Sequence, residues 1–352
     1  MPRLRRSDPA GPGLHRRRRG RGFSYTDAWG RPVTDPAALE RIRALAIPPA
    51  WRDVWICPWP NGHIQATGID ARGRTQYRYH DQWRVQRDRA KFDHMLEFAR
   101  ALPRLRRAVE LDLRGRDLSE ARVLAGAARL LDVGFFRIGS DCYAEENQTY
   151  GLTTLLTSHV RVHGDSVVFD FPAKGGKRRL QAIVDDDVRA LITSLRRRRG
   201  GGDALLVWRR PGERGIRKWV DVDSDAVNAY VKDRAGVDCS AKDFRTWNAT
   251  VLAAVALSVS TGASSPTARR RCVARAMTEV AHYLGNTPAV VRRSYVDPRV
   301  VDRFYGGSTI AGAISHLGEG LAFGQVATRG VVEEAVLDLL AGGDAADELT
   351  AA

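Results

Sequence analysis

The spacing of apolar and polar positions divides the chain into a part with short alternating runs and a longer part with helical periodicity. The first part has alternating runs, separated by proline and glycine, at residues 54–56, 63–66 and 75–79. From Phe92 onwards, apolar residues recur at helical spacing. These patterns are typical of a small antiparallel sheet followed by amphipathic helices. We therefore predict an α+β fold with a small, mainly β N-terminal domain at residues 23–88 and a larger, mainly α domain at residues 89–310.

A shorter region within the mainly α domain returns to an alternating pattern. Strands are predicted at residues 160–162, 167–171 and 179–183, with turns at His163–Asp165 and Lys174–Lys177. The three aspartates at 185–187 suit the first turn of a following helix, where acidic side chains interact favourably with the helix dipole. The second domain is therefore expected to carry a three-stranded sheet.

Both ends of the chain have compositions that do not favour a core. Residues 1–22 contain eight arginines among glycine and proline. We predict a disordered tail there, which either adds non-specific DNA affinity or only improves solubility. Residues 311–352 are predicted to form a C-terminal helix followed by a frayed tail.

The 352 residues are strongly basic overall, with a net charge of +15. That excess favours a polyanionic partner such as DNA, RNA or an acidic membrane surface. No stretch approaches the roughly 20 apolar residues that span a bilayer, so a soluble intracellular protein is expected. Neither a zinc site nor a disulfide framework is predicted, because the four cysteines form no CxxC pair: Cys57, Cys142, Cys239 and Cys272.

Four short segments contain residues suited to phosphate chemistry. Arg137 lies between an apolar run and a glycine, although an arginine there more often forms a structural salt bridge. Lys174 and Lys177 share a predicted hairpin tip, which could equally be an ordinary exposed turn. Arg245 lies near the start of an Ala/Val-rich helix, and helix N-termini favour anions. Tyr295 follows two arginines and could be a nucleophile, a DNA-contacting aromatic residue or a partly buried core residue.

The order and spacing of these segments together resemble the type IB DNA topoisomerases, in particular their small bacterial and poxvirus-like branch. The resemblance covers roughly residues 25–310, and its most specific part runs from Arg137 through Glu146–Asn147 to Gly151–Thr153. It implies an enzyme that binds double-stranded DNA, cuts one strand, lets it swivel and reseals it without ATP or a metal. No cofactor is implied.

The resemblance also assigns roles to individual residues. Tyr295 matches the nucleophile, which forms a 3′-phosphotyrosyl intermediate. Arg137 and Arg245 match the two arginines that clamp the phosphate, a role suited to bidentate guanidinium groups. Lys174 matches the general acid that protonates the leaving 5′-oxygen, and Lys177 is a neighbour that could substitute.

One position departs from the family pattern. The usual phosphate-binding histidine falls at Asn286, nine residues before Tyr295. An amide can donate a hydrogen bond to a phosphate oxygen, but it carries no charge and is neither an acid nor a base. We therefore expect Asn286 to act only as a donor in the transition state. Glu145 and Glu146 are expected to orient Arg137 by ion pairing rather than to bind magnesium.

The N-terminal domain is expected to read DNA through Gln76, Tyr77 and Tyr79, which match a family pattern on a strand in the major groove. The alternative is that these are exposed strand side chains that pack on each other. Lys177 and Lys242 are predicted as further DNA contacts. The resemblance implies a monomeric, C-shaped clamp around DNA, and we expect a cytoplasmic, nucleoid-associated bacterial protein.

Two other functions compete with this interpretation. Tyrosine recombinases share the catalytic logic but usually have a histidine three residues before the second arginine, where this chain has Lys242. A basic, non-catalytic DNA-binding protein would explain the charge alone. It would not require Arg137, Lys174, Arg245 and Tyr295 together.

Overall fold

A computed structural model of the protein describes residues 3–139, 148–210, 218–260, 262, 265–315 and 329–342. The chain divides into two compact units, residues 1–93 and 94–352. Sheets and helices both contribute, which confirms the predicted α+β class.

The N-terminal unit is built on a five-stranded antiparallel sheet with strand order β2-β1-β3-β4-β5. Its elements are β1 (Leu14–Arg19), β2 (Gly22–Thr26), α1 (Pro36–Ala44), β3 (Arg52–Ile56), β4 (Ile64–Ile69) and β5 (Thr75–Tyr79). Ile42 of α1 packs on Val54, Ile56 and Ala66 of the sheet, and these four side chains form the core of the unit.

The prediction that residues 1–22 form a disordered tail is wrong, because β1 lies inside the sheet between β2 and β3. One of its arginines, Arg16, has partners that composition does not reveal. The guanidinium of Arg16 lies 4.2 Å from the ring centroid of Phe23. It also donates to the carbonyls of Pro48 (3.0 Å) and Trp51 (2.8 Å). An arginine satisfied in this way can cover apolar surface with its long stem.

Helices dominate the second unit. They are α2 (Asp81–Leu113), α3 (Glu120–Gly134), α4 (Asp186–Arg197), α5 (Ser224–Ala235), α6 (Ala241–Ser258), α7 (Pro266–Leu284), α8 (Pro288–Ser294), α9 (Pro298–Tyr305), α10 (Ala311–Ser315) and α11 (Val331–Ala341). The division between the units falls inside α2, a few residues after the predicted boundary at 88. Helices α10 and α11 lie in the predicted C-terminal segment, and residues 343–352 are outside the described residues.

The predicted three-stranded sheet is confirmed, with antiparallel order β6-β7-β8. Its strands are β6 (Val160–His163), β7 (Ser166–Ala173) and β8 (Lys177–Val184), and a second small sheet pairs β9 (Val207–Arg210) with β10 (Lys218–Asp221). Asp185 caps α4 by accepting a hydrogen bond from the Val188 N–H (3.0 Å). This confirms that the run of aspartates begins a helix.

A buried ion-pair network joins four helices of this unit. Arg106 of α2 pairs with Asp132 of α3 (3.0 Å) and with Glu333 of α11 (2.6 Å). The indole of Trp247 on α6 donates to Glu333 (2.9 Å). The network thereby fixes α3 and α6, the two helices that position the arginines described below.

Candidate active site

Tyr295 lies between two short helices whose first residues are fixed by caps. Thr287 and Asp297 are the N-caps of α8 and α9, and each is followed by a proline, whose fixed φ suits the first helical position. The hydroxyl of Thr250 on α6 lies 3.3 Å from the Tyr295 carbonyl and accepts from the Asp297 N–H (3.2 Å). The main chain around the half-buried Tyr295 is therefore held from both sides.

Arg245 lies beside this tyrosine, with its guanidinium carbon 5.3 Å from the centroid of the Tyr295 ring. It is buried in the second turn of α6, a helix that begins with a capping box formed by Ser240 and Asp243. Its guanidinium donates to the carbonyl of Leu284 (2.9 Å) and to that of Phe135. Arg245 thus bridges the C-terminal ends of α7 and α3.

Phe135 holds an unusual backbone conformation at the end of α3. Its φ is 53°, in the left-handed region that a bulky side chain rarely adopts. Such a conformation costs about 1–3 kcal/mol and persists where the surrounding structure enforces it. Here the residue ends the helix and its carbonyl receives the hydrogen bond from Arg245.

Arg137 follows α3 and contacts the side chain of Asn286, whose Oδ1 accepts a hydrogen bond from Arg137 Nη2. The Arg137 carbonyl accepts from the Leu152 N–H (2.8 Å). This approach depends on glycine, because a Cβ on Gly151 would lie 2.4 Å from the Cα of Gly139. The Gly151–Thr153 part of the family pattern therefore holds the backbone of Arg137.

Asn286 is positioned by the way in which α7 ends. Gly285 has a φ of 61°, and the N–H of Asn286 donates back to the Ala281 carbonyl (3.0 Å). The Gly285 N–H donates to the His282 carbonyl (3.2 Å). These two bonds form a Schellman motif, which leaves the carbonyls of residues 283–285 available to other donors.

Each of those three successive carbonyls accepts from a different arginine. The pairs are Arg179 with Tyr283 (3.1 Å), Arg245 with Leu284 (2.9 Å) and Arg137 with Gly285 (3.3 Å). The negative end of a helix dipole suits cations. None of the three arginines pairs with a carboxylate among the described residues. Arg179, on β8, was missed by the sequence analysis, which considered only the lysines of that hairpin.

Burial lowers the pKa of all three guanidinium groups, and the charge of Arg137 adds to this effect at the other two. Burial and the positive charge of Arg137 lower the pKa of Arg245 to about 10. The same two causes lower the pKa of Arg179 to about 10. At Arg106 burial acts in the same direction, but hydrogen bonds and charge from Glu333 and Asp132 raise the pKa instead. The arginines around Tyr295 therefore form a concentration of positive charge that an anion would stabilise.

Two buried N–H groups of the site find no acceptor in the described part of the chain, Nε of Arg245 and Nδ2 of Asn286. A buried donor without a partner destabilises a protein by about 1–3 kcal/mol. An oxygen of a bound phosphate would supply an acceptor of the right charge. Both donors belong to residues that the sequence analysis assigned to phosphate binding.

The same charges act on the nucleophile candidate. Burial of the phenol raises its pKa, but the positive charges of Arg245, Arg137 and Lys242 outweigh this effect, so the pKa of Tyr295 lies below its usual value of 10. Lys242 is exposed in the first turn of α6, three residues before Arg245. A lowered pKa favours the phenolate, which is the attacking form.

The predicted lysines of the hairpin face a cavity beside these arginines. Lys174 and Lys177 lie at the β7–β8 turn, and both line a cavity of about 550 Å³ together with Arg137 and Arg179. The structure therefore brings Lys174 to the same cavity as Arg137.

In the N-terminal unit, the three residues predicted to contact DNA lie on β5. Tyr77 and Tyr79 expose 46% and 40% of their surface, and their rings stack with centroids 5.8 Å apart. The Gln76 side chain donates to Asp70 (3.0 Å). The tyrosines thus do pack on each other, as the alternative interpretation has it, while both remain partly exposed to solvent.

Several other predictions concern cysteines, metals and membranes. Glu145, Glu146 and Cys142 lie outside the described residues. The cysteines within the described ranges are free: Cys57, Cys239 and Cys272. In those ranges no group of three or more histidine, cysteine, aspartate or glutamate side chains could hold a metal ion, and no helix is long and apolar enough to cross a membrane.

Comparison with known proteins covers both units. Residues 80–304 match the family described as "Eukaryotic DNA topoisomerase I, catalytic core", and residues 22–70 match "Bacterial DNA topoisomerase IB, N-terminal domain". The DNA topoisomerase 1B of Acanthamoeba polyphaga mimivirus is 30% identical over 287 residues, which cover 81% of this chain and 85% of that protein. The DNA topoisomerase 1B of vaccinia virus (strain Copenhagen) is 23% identical over 279 residues, covering 77% and 83% respectively.

The matched catalytic core contains every group assembled around Tyr295. It extends over more than half of the chain and includes Arg137, Lys174, Arg245 and Asn286. The similarity to the mimivirus relative extends over 81% of this chain. The chain therefore belongs to the type IB DNA topoisomerase family and is a DNA topoisomerase, an isomerase.

Proposed function

We propose that this protein relaxes supercoiled duplex DNA by cutting one strand with Tyr295, letting the strand swivel and resealing it. The observation that carries the proposal is the setting of the Tyr295 phenol. It lies beside the buried guanidinium of Arg245 and near the partly buried guanidinium of Arg137, and neither pairs with a carboxylate among the described residues. Such a site is suited to bind a phosphodiester, because a bound anion would stabilise the positive charges.

In the cleavage step, the phenolate of Tyr295 attacks the phosphorus atom and the bond from phosphorus to the 5′-oxygen breaks. The product is a 3′-phosphate ester of Tyr295 and a free 5′-hydroxyl. Arg137 and Arg245 would donate to the non-bridging oxygens, where negative charge grows in the transition state. Asn286 would add a neutral donor through its unpaired Nδ2.

The leaving 5′-oxygen needs a proton, and we assign this role to Lys174. Its place at the β7–β8 turn, on the cavity that Arg137 also lines, supports the assignment. Lys177 lines the same cavity and is assigned to DNA contact. Resealing reverses the step: the 5′-hydroxyl attacks the phosphotyrosyl ester and Lys174 takes up the proton.

The chemistry as proposed requires neither ATP nor a metal ion. The phosphotyrosyl ester conserves the energy of the phosphodiester bond, so resealing needs no other source. The charge that a metal would supply comes from the arginines. Torsion in the DNA drives the rotation of the cut strand.

Binding of the duplex is proposed to involve both units. Gln76, Tyr77 and Tyr79 would contact base edges or phosphates, and Lys242 would contact the backbone near the cleaved phosphate. All proposed catalytic groups come from one chain, which supports action as a monomer.

The location on a bacterial nucleoid stays a prediction, since the relatives compared above are viral.

The proposal is tested by relaxation of supercoiled plasmid in EDTA without ATP. Wild type should relax the plasmid, with a strong dependence on salt because binding rests on phosphate neutralisation. Tyr295→Phe should bind DNA with similar affinity but relax none. Failure of wild type to relax plasmid at every salt concentration would overturn the proposal.

A further inference from the structure

A third arginine takes part in the arrangement around Tyr295, although the proposed reaction assigns it no role. The guanidinium of Arg179 donates to the carbonyls of Gly134 and Tyr283, both at 3.1 Å. Gly134 is the last residue of α3, and Tyr283 lies in the last turn of α7. Arg179 therefore connects the same two helix ends that Arg245 connects.

The two arginines bridge the helix ends in register. Arg179 joins residue 134 to residue 283, and Arg245 joins residue 135 to residue 284. Arg137 donates to the next carbonyl, that of residue 285, directly after α7. The spacing between the ends of α3 and α7 thus depends on Arg179 as well as on Arg245, and this spacing sets where the phosphate-binding groups lie.

The remaining hydrogen-bond partner of Arg179 is the neutral side chain of Gln181. Oε1 of Gln181 accepts from Nε (3.0 Å) and from Nη2 (2.7 Å) of the arginine. A carboxylate at position 181 would hold the guanidinium as well and would cancel its charge. With an amide there, the positive charge remains available to the cavity that Arg179 shares with Arg137 and Lys174.

The neighbouring arginine on the same strand shows the opposite arrangement. Arg178 is exposed and forms an ion pair with Asp170 (2.6 Å), so its charge is neutralised locally. Two adjacent arginines on β8 therefore differ in burial, partner and net charge. The charge of Arg179 also acts on Arg245, whose pKa is lowered by burial first and by Arg137 and Arg179 in addition.

We propose that Arg179 is a positioning residue for DNA cleavage. It holds the ends of α3 and α7 at the spacing that Arg137 and Arg245 require, and it adds an uncompensated positive charge to the phosphate site. This inference rests on the proposed function, because it assigns Arg179 to the same cleaved phosphate.

Three variants separate the two parts of the role. Arg179→Met removes both the bridge and the charge, and should slow single-turnover cleavage of a duplex oligonucleotide about 100-fold, since small displacements of catalytic groups have effects of that size. Arg179→Lys keeps the charge but cannot span both helix ends, and should recover only part of the rate. Gln181→Glu keeps the bridge and neutralises the charge, and should slow cleavage about tenfold.

A chemically altered substrate distinguishes this role from a merely structural one. A methylphosphonate at the cleaved position replaces one charged oxygen with a neutral methyl group. The penalty of Gln181→Glu should shrink to less than about threefold on that substrate, because there is less charge for Arg179 to stabilise. Loss of folded protein would slow both substrates equally, and thermal unfolding of each variant measures that loss directly.

Arg178→Met is the matched control, since it removes an arginine one position away whose charge is already paired. It should change the cleavage rate less than about threefold. Cleavage by Arg179→Met within about threefold of wild type would overturn the inference. Equal penalties of Gln181→Glu on the two substrates would also do so. Absence of a covalent adduct in wild type would instead overturn the proposed function.

Discussion

Removal of the Asn286 side chain should separate the activity of this enzyme from its stability. The Asn286 Oδ1 accepts from Arg137, while its Nδ2 is buried without an acceptor. In Asn286→Ala, loss of the charge-assisted hydrogen bond destabilises the fold by about 1.5–3 kcal/mol. Removal of the unpaired Nδ2 offsets this by about 1–3 kcal/mol. The free energy of unfolding should therefore stay within about 2 kcal/mol of wild type.

The cleavage rate of Asn286→Ala, unlike its stability, should fall strongly. If Nδ2 donates to a phosphate oxygen in the transition state, its loss should slow cleavage by about 10²–10³-fold, as for other single donors of this kind. The assay is single-turnover formation of the covalent adduct on a duplex oligonucleotide, with urea unfolding measured in parallel.

Asn228→Ala provides a matched control, because Oδ1 of Asn228 is already satisfied by the Ala241 N–H (2.9 Å). That variant should lose about 1 kcal/mol of stability. Its cleavage rate should stay within about threefold of wild type. If Asn286→Ala also cleaves within about threefold of wild type, the assignment of Asn286 as a transition-state donor is wrong.

The ionisation of Tyr295, the packing at Gly151 and the ion pair of Glu333 can each be tested separately. The phenol of Tyr295 should ionise below pH 10 in an ultraviolet titration of wild type minus Tyr295→Phe. The phenol of Tyr230, whose pKa is raised by burial and by its hydrogen bond to Asp112, should ionise after it in the corresponding difference with Tyr230→Phe. A midpoint above 10 for Tyr295 would show that burial outweighs the arginines. Gly151→Ala should destabilise the fold by about 1–3 kcal/mol through overpacking and slow cleavage, while Gly312→Ala, whose added Cβ meets nothing within 4 Å, should leave cleavage unchanged. Equal cleavage by the two alanine variants would contradict this reading. Glu333→Gln should lower the free energy of unfolding by about 3 kcal/mol in urea, because it breaks a buried ion pair; a change below about 1 kcal/mol would contradict it.

Local signals in the sequence predicted many of the elements that position the site. The β6-β7-β8 sheet follows from alternation between two turns, and α4 follows from its aspartates. These features depend on residues close together in the chain, which is why pattern and turn chemistry suffice to predict them. The grouping of Arg137, Arg245, Asn286 and Tyr295 is different, because only the family resemblance pointed to it.

Arg179 shows what local patterns cannot predict. Alternation along β8 would direct Leu180 inwards and Arg179 outwards, yet Leu180 is 64% exposed and the Arg179 guanidinium binds two helix ends. Its acceptors lie 45 and 104 residues away in the sequence. Such partners are main-chain carbonyls, which every residue has, so no residue type marks them. The error at residues 1–22 has the same origin, because Arg16 is satisfied by distant carbonyls.

The attachment point of the DNA tests the proposed chemistry most directly. Denaturant should trap a covalent adduct on wild type, and trypsin should release the bound peptide Ser294–Arg299, which contains a single tyrosine. Mass spectrometry should place a 3′-phosphoryl nucleotide on Tyr295, with the other DNA fragment ending in a 5′-hydroxyl. Attachment to another residue, or through a 5′-phosphate, would contradict the mechanism.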